Sequence, residues 1–288
     1  MKKKISIFDV VVFVVLLLWG FVIFYPVYNS ILVSFMSGQE YLESAFSLWV
    51  KDFTLESYKA VFSTGRVQIG YRNTLIIIAF YVPLSLFLLS STAYVLSRKP
   101  FLFSKTINNL MVFTMYFGGG LVPTYLVVKS LGLLDSLASI VLIGAVNTYY
   151  MIVCKSFFYT LPDSLEESAK LDGANDIYIY WKIYLPLAKP IIATLFLYTL
   201  TDKWNEWYFP MIYLNDSNKW PLQLMLREVI GTNQVSDQAA SAVAAQQKVY
   251  TMGVKMATLV VTMLPVMCIY PFLQKYFMSG LTVGAVKQ

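Results

Sequence analysis

The apolar positions of this chain do not alternate, and they do not recur once per helical turn. They come in long unbroken runs, at about residues 10–35, 73–97, 106–130, 137–158, 190–214 and 252–277. A bilayer's hydrocarbon core is crossed by about 20 consecutive apolar residues in a helix, so each run predicts one crossing. The first run follows Lys2, Lys3 and Lys4. A signal-peptide core spans only about 7–15 residues. This run is longer, carries Trp19 and Pro26 and lacks a small-residue cleavage pattern, so it is read as an uncleaved span.

The segments between the runs are polar. Residues 36–71 carry Glu40, Glu43, Lys51, Asp52, Glu56, Lys59 and Arg66, and Arg98, Lys99 and Lys105 bracket a short turn. Residues 159–189 and 215–250 are the other long polar stretches, the latter holding an Ala/Gln-rich piece from Gln238 to Gln247. The third run contains Gly118, Gly119 and Gly120, which weaken a helix, so an irregular backbone is expected there. Such a break inside a membrane fits a watery cavity or a tight helix-packing site. Pro190 stands at a favoured first-turn position of the fifth span. An even number of spans puts both chain ends on one side. Lys2 to Lys4 and the Arg98/Lys99/Lys105 turn predict that this side is the cytoplasm.

Composition sharpens this. The 288 residues are 58% hydrophobic and 13% charged, where a soluble domain carries about 25% charged residues. A soluble enzyme, a disordered chain and a disulfide scaffold are excluded. There is no histidine, which removes the commonest metal ligand and general base. Cys154 and Cys268 lie inside apolar runs and read as small buried hydrophobes. The net charge of +6 fits basic cytoplasmic ends rather than nucleic-acid binding. The expected fold is an all-α integral membrane protein, a single transmembrane domain over 1–288, with no catalytic set, metal site or cofactor of its own.

One loop is more informative than the rest. Residues 159–189 have the physics of a helix-turn-helix. Ser164 and Glu167 have capping-box spacing, Gly173 can supply a left-handed stop, and Asp176 can cap a second helix. Ile177, Tyr180, Trp181 and Tyr184 fall at i, i+3, i+4 and i+7, one apolar face that Pro186 would end. The same loop resembles the EAA signature of ABC-importer permeases: Glu-Ala-Ala, three residues, Gly, nine residues, Ile, one residue, Leu-Pro. Here it reads Glu167-Ser168-Ala169, Gly173, Ile183, Leu185-Pro186. Every spacing matches, and Ser168 for Ala is a small-for-small change. Trp204-Asn205-Glu206-Trp207 is similar to the Trp-Asn-Glu-Phe segment of carbohydrate-importer permeases. Gly280 to Lys287 (Gly-Leu-Thr-Val-Gly-Ala-Val-Lys) resembles the tail of their maltose-type second permease. Gly118 to Pro123 and Pro221 to Arg227 resemble the polysaccharide or lipo-oligosaccharide branch.

The resemblance implies a type I importer permease with six transmembrane helices and a cytoplasmic coupling loop at 159–189. It implies a second six-helix permease subunit, two cytoplasmic ATPases holding ATP and Mg, an extracytoplasmic sugar-binding protein and an oligosaccharide cargo, in the bacterial cell membrane. The chain itself carries no Gly-x-x-x-x-Gly-Lys-Ser/Thr phosphate loop. Glu167, Ser168, Ala169, Asp172, Gly173, Ala174, Ile183 and Pro186 are the implied ATPase-coupling residues; Glu167 also reads as an ordinary capping carboxylate.

Asp202, Lys203 and Glu206 stand near the end of the fifth span, with Asp202 and Glu206 at i, i+4 on one helix face. With Trp204 and Asn205 they fit a sugar path, or an interfacial aromatic belt with snorkelling charges. Asn147, Tyr149 and Tyr150 fit a path lining or polar helix packing. The 215–250 loop fits a binding-protein contact, by analogy with the maltose type, or a solvated cap. The rival reading is an ion-coupled secondary transporter or channel, which needs intramembrane carboxylates or an inverted repeat. A membrane enzyme lacks its catalytic groups here.

Overall fold

The computed structural model describes residues 6–43, 47–98, 102–231, 252–269 and 271. The three N-terminal lysines, Lys99, the Ala/Gln-rich piece and the tail from Gly280 to Lys287 lie outside the described residues. The described chain is helical, with one isolated antiparallel bridge between Met36 and Phe53. It falls into two compact units, residues 1–68 with 225–265 and residues 69–224 with 266–288.

In the first unit α1 (Ile7–Phe35) begins on a capping box. Ser6 N donates to Asp9 at 3.0 Å, and the Ser6 hydroxyl accepts from Phe8 N. The helix is apolar on all sides and exposed over most of its length, as a membrane helix is. Pro26 sits inside it, and the Ser30 hydroxyl occupies the Pro26 carbonyl at 2.8 Å. Two short helices follow, α2 (Gly38–Glu43) and α3 (Glu56–Ser63). Glu40, nearly buried, accepts from the backbone N–H groups of Lys51 and Asp52 at 2.7 and 3.0 Å and so shapes the loop between them.

The second unit is built on α4 (Arg66–Ser97), most of which lies in it. Around α4 stand α5 (Ser104–Tyr116), α6 (Leu121–Ser130), α7 (Leu137–Leu142), α8 (Thr148–Phe158), α9 (Ser164–Leu171) and α10 (Asp176–Ile179). A π-turn (Tyr180–Tyr184) leads through α11 (Leu185–Leu187) to α12 (Lys189–Trp204) and α13 (Tyr208–Tyr213). A 3-10 turn (Ser217–Lys219) comes next; α14 (Leu222–Gly231) and α15 (Met252–Ile269), the last described helix, belong for most of their length to the first unit.

Three apolar clusters meet α4 at three heights. Leu89, Ala93 and Tyr94 pack with Met151, Cys154 and Phe158 of α8 and with Ile179 and Tyr184. Tyr81 and Val82 pack with Ala145 and Leu200. Ile77 packs with Val128, Ile140 and Tyr213. In lipid the tails are as apolar as leucine, so close packing and hydrogen bonds, rather than escape from water, hold such helices together.

Among the described residues α1, α4 and α15 are each long and apolar enough to cross a membrane. Two further stretches qualify as bent pairs: α5 with α6, bent by 114°, and Asp176–Leu187 with α12, bent by 80°. The first bend falls on the glycines, with Gly120 at φ 86°. Residues 137–158 and 190–214 are each divided into two helices.

Candidate functional site

The loop at 159–189 folds as two short helices, with caps that differ from those its spacing predicts. Ser164 and Glu167 form no capping box. The N-cap of α9 is Asp163, already helical at φ −64°, ψ −26°, and no side chain caps the helix. A capping side chain works from an extended N-cap. Here the entering turn is closed instead by backbone bonds, Leu165 N to Pro162 O at 3.2 Å and Glu166 N to Asp163 O at 3.0 Å. Asn175, not Asp176, caps α10: it is extended, and its side chain accepts from Tyr178 N at 2.8 Å. That leaves Asp176 to meet Lys170 at 3.2 Å.

Gly173 does stop α9 in the left-handed region, at φ +82°. Its N–H reaches Lys170 O at 3.1 Å, and the Ala174 N–H reaches Ala169 O at 2.9 Å, the paired bonds of a Schellman turn. The apolar face of the second helix is not Ile177, Tyr180, Trp181 and Tyr184. The π-turn adds a residue to one turn and moves the buried face to Ile179, Tyr180 and Tyr184, while Ile177 is 71% exposed and Trp181 half exposed. Nor does Pro186 end the helix. It lies in α11, and the bend comes at Ala188, whose N–H still reaches Tyr184 O at 2.9 Å.

The two faces of α9 are therefore unlike. Ala169 and Glu166 are buried. Glu167, Ser168, Asp172 and Gly173 are exposed, and Leu171 is 89% exposed. Glu167 and Leu171, at i and i+4, share a face. Ala174 and Ile183 are half-buried and Pro186 is exposed. Glu166 holds Lys170 at 2.7 Å; bonds to Glu166 and then Asp176 push the Lys170 pKa up to about 12.

Beneath α9 lies Arg98, which the sequence offered only as a topological charge. It directly follows α4 and its side chain is 10% exposed. The guanidinium lies 3.4 Å from Glu166 and 3.6 Å from Asp163. It donates to Phe158 O at 3.1 Å and to the Tyr184 hydroxyl, and stacks 4.3 Å above the Tyr184 ring. A cation at the end of an apolar run, with acids on a later polar loop, was the available signal.

The second assembly is a cavity of about 390 Å³ where two helical runs break. One break is Ile143–Asn147, between α7 and α8; the other is Asn205–Trp207, between α12 and α13. Asp202 and Glu206 do not share a helix face as predicted, because α12 ends at Trp204, yet both line the cavity. Asn147 and Asn205 line it too. Asn147 also caps α8, accepting from Tyr150 N at 3.3 Å. The Tyr150 hydroxyl donates to Asp202 at 2.8 Å. Tyr149 is exposed and packs on Tyr150, rings 5.9 Å apart. Trp204 does not face the cavity: it is buried, with its ring 6.1 Å from that of Tyr71.

Tyr81 and Lys203 complete the wall. The Tyr81 hydroxyl donates to Gly144 O at 2.9 Å. Lys203, 5% exposed, lies 3.8 Å from Glu206, donates to Ile143 O at 3.4 Å and stands 4.5 Å over the Tyr81 ring. Gly144, at φ +74°, was the unused sequence signal for the first break.

At the far end of α4 a third set of bonds gathers two loops. Asp135 accepts from the N–H groups of Asn215 and Asp216, each at 3.0 Å, and from Lys219 at 2.7 Å. The Asp216 N–H, then Lys219, hold its pKa below the usual carboxylate value. The Asn73 amide donates to the carbonyls of Asn218 and Trp220 at 2.8 and 3.1 Å. The described residues contain no cluster that could hold a metal ion.

Broken membrane helices around a polar cavity, with a helical pair on a polar loop, are the features of a membrane transport protein. The family described as the inner membrane component of binding-protein-dependent transport systems matches residues 73–283, and the chain belongs to it. It is 38% identical to the polygalacturonan/rhamnogalacturonan transport system permease protein YtcP of Bacillus subtilis, over 99% of each chain. It is 39% identical to the protein LplC of the same organism, over 93% of this chain and 90% of the other. A crystal structure of a bacterial ABC transporter involved in the import of the acidic polysaccharide alginate contains a chain 31% identical. Its TM-score is 0.86, with 96% of this chain and 99% of that one covered. The protein is thus a membrane-located ABC permease subunit with the type I fold, working with other transporter components. Nothing in these likenesses supports the ion-coupled alternative.

Proposed function

We propose that this chain is one of two permease subunits of an ATP-driven importer of oligosaccharides or polysaccharide fragments. On this reading it crosses the membrane six times with both termini in the cytoplasm. Its partners are a second six-helix permease, two cytoplasmic ATPases that hold ATP and Mg, and an extracytoplasmic sugar-binding protein. The observation that carries the reading is the α9 lobe. Leu171 and Ile177 stand 89% and 71% exposed on a polar loop, and Glu167 is exposed one turn before Leu171. Apolar side chains held in water by a rigid turn mark a docking surface, here for the ATPases. Glu167, Ser168, Asp172 and Gly173 are its rim; Ala169, Ala174, Ile183 and Pro186 set its shape.

The cavity is the proposed path wall. It offers carboxylates at Asp202 and Glu206, amides at Asn147 and Asn205 and an indole at Trp207. Hydroxyl-rich cargo finds acceptors, donors and a flat apolar face there. Tyr149, Tyr150 and Trp204 support the wall from outside it. The names of the similar proteins suggest the cargo class.

The test is uptake in cells carrying the whole importer, using labelled oligogalacturonides, alginate oligomers and malto-oligosaccharides. Uptake of at least one class, abolished by ATP depletion and unaffected by collapsing the ion gradients, is expected. Uptake that follows the ion gradients, or a purified chain that brings no ATPase with it while a control importer does, would overturn the reading.

A further inference from the structure

Arg98 is where four elements meet. Its backbone directly follows α4, and its side chain touches the C-terminal carbonyl of α8 at Phe158, the first turn of α9 at Asp163 and Glu166, and the π-turn at Tyr184. Nε also donates to the Ser97 hydroxyl at 3.2 Å. A guanidinium is a rigid planar fork of five donors, so these partners are fixed relative to one another and not merely attracted. Tyr184 and Tyr94 close over it, at 4.3 and 5.8 Å from the ring centres, and both Arg98 and Glu166 side chains are 10% exposed. Screening by water and salt is weak at such a site. A second bond runs alongside: the Ser90 and Tyr180 hydroxyls are 2.7 Å apart and buried.

The adjacent glutamates thus divide the work. Glu167 faces outward, and Glu166 is drawn inward to Arg98 and Lys170. From Ser97, α4 continues as one helix past Pro83 to Tyr81, about 24 Å at 1.5 Å per residue. Tyr81 is the cavity wall residue that bonds Gly144 O and lies under Lys203.

We propose that Arg98 is a positioning residue that locks the α9 lobe to α4, so that a displacement of α9 moves the cavity wall at Tyr81. This rests on the reading of α9 as the ATPase docking surface. Without the latch the ATPases still bind and turn over, but the motion stops at the lobe. Lysine at this position keeps the charge but cannot reach four partners at once.

The experiment needs no knowledge of the cargo. In the complete importer, with Cys154→Ala and Cys268→Ala, an Asn205→Cys probe at the cavity is labelled with a membrane-impermeant maleimide, with and without ATP and vanadate. With Arg98 present, vanadate trapping should change the labelling rate. With Arg98→Lys or Glu166→Gln, trapped nucleotide should stay near the parent level while that rate change shrinks roughly tenfold, a coupling loss of ordinary allosteric size. A full labelling response in both variants overturns the latch. So does a loss of ATPase association that matches the loss of response, since Arg98 would then only hold the fold. Glu167→Ala, measured in parallel, separates the two ideas: if it leaves ATPase association intact, the docking reading fails on its own account.

Discussion

At the scale of single residues, Gly173 is a position where the backbone sets the requirement alone. At φ +82° it lies in the left-handed region, and an added Cβ would meet nothing within 4 Å. The cost of any other residue is therefore conformational and not steric. Asparagine tolerates this region, alanine pays about 1 kcal/mol, and a β-branched residue more. We expect ATPase co-purification to fall in the order Gly, Asn, Ala, Val at position 173, with the spans still inserted and the purified subunit monodisperse. An equal loss for Asn and Val would mean that bulk, not backbone, matters there. The same residue shows what was legible beforehand. The left-handed stop could be read because glycine two turns into a short helix has few other uses. The caps could not: Asp163 and Ser164, and again Asn175 and Asp176, are neighbouring residues able to cap, and only the backbone angles of each pair decide between them.

At the scale of elements, the apolar runs announced helices but hid their interruptions. A run counts side chains, and the chain between α7 and α8, or α12 and α13, leaves the helix without becoming polar enough to end the run. The triple glycine at 118–120 was legible because it weakens a helix by composition. The break at 205–207 was not, since Asp202 and Glu206 look like a helical pair until the backbone turns away. What such a break requires is a partner for the freed carbonyls. Lys203 serves both breaks, reaching Ile143 O and Glu206. Lys203→Met should therefore cost roughly 1–3 kcal/mol, the penalty of leaving buried polar groups without their partner. Adding Glu206→Gln should recover part of that cost, because a charge is no longer stranded. Thermal unfolding of the four proteins of this cycle in one detergent measures it. A double variant as unstable as the sum of the two single ones would show that Lys203 and Glu206 do not act as a pair.

At the scale of the whole second unit, the bonds sort the loops into two sets that α4 holds apart. Arg98, at one end, gathers Phe158, Asp163, Glu166 and Tyr184. Asn73, near the other, gathers Asn218 and Trp220, and Lys219 ties that loop to Asp135. Between Asn73 and Ser97 the helix rises about 36 Å, more than the roughly 30 Å of hydrocarbon. On the proposed topology, with α4 as one crossing, the two sets belong to opposite faces of the membrane. The proposed orientation rests on charge: Arg98 and Lys105 follow the second span closely, and short basic turns favour the inside. In a Cys154→Ala, Cys268→Ala background, Asn218→Cys should react with an impermeant maleimide on intact cells from which the outer barrier is removed. Thr160→Cys, exposed beside the α9 lobe, should react only after the membrane is opened. The opposite pattern would invert the orientation and take the docking surface away from any cytoplasmic ATPase. Labelling of both from one side would break the crossing at α4 itself, and with it the argument that links α9 to the cavity.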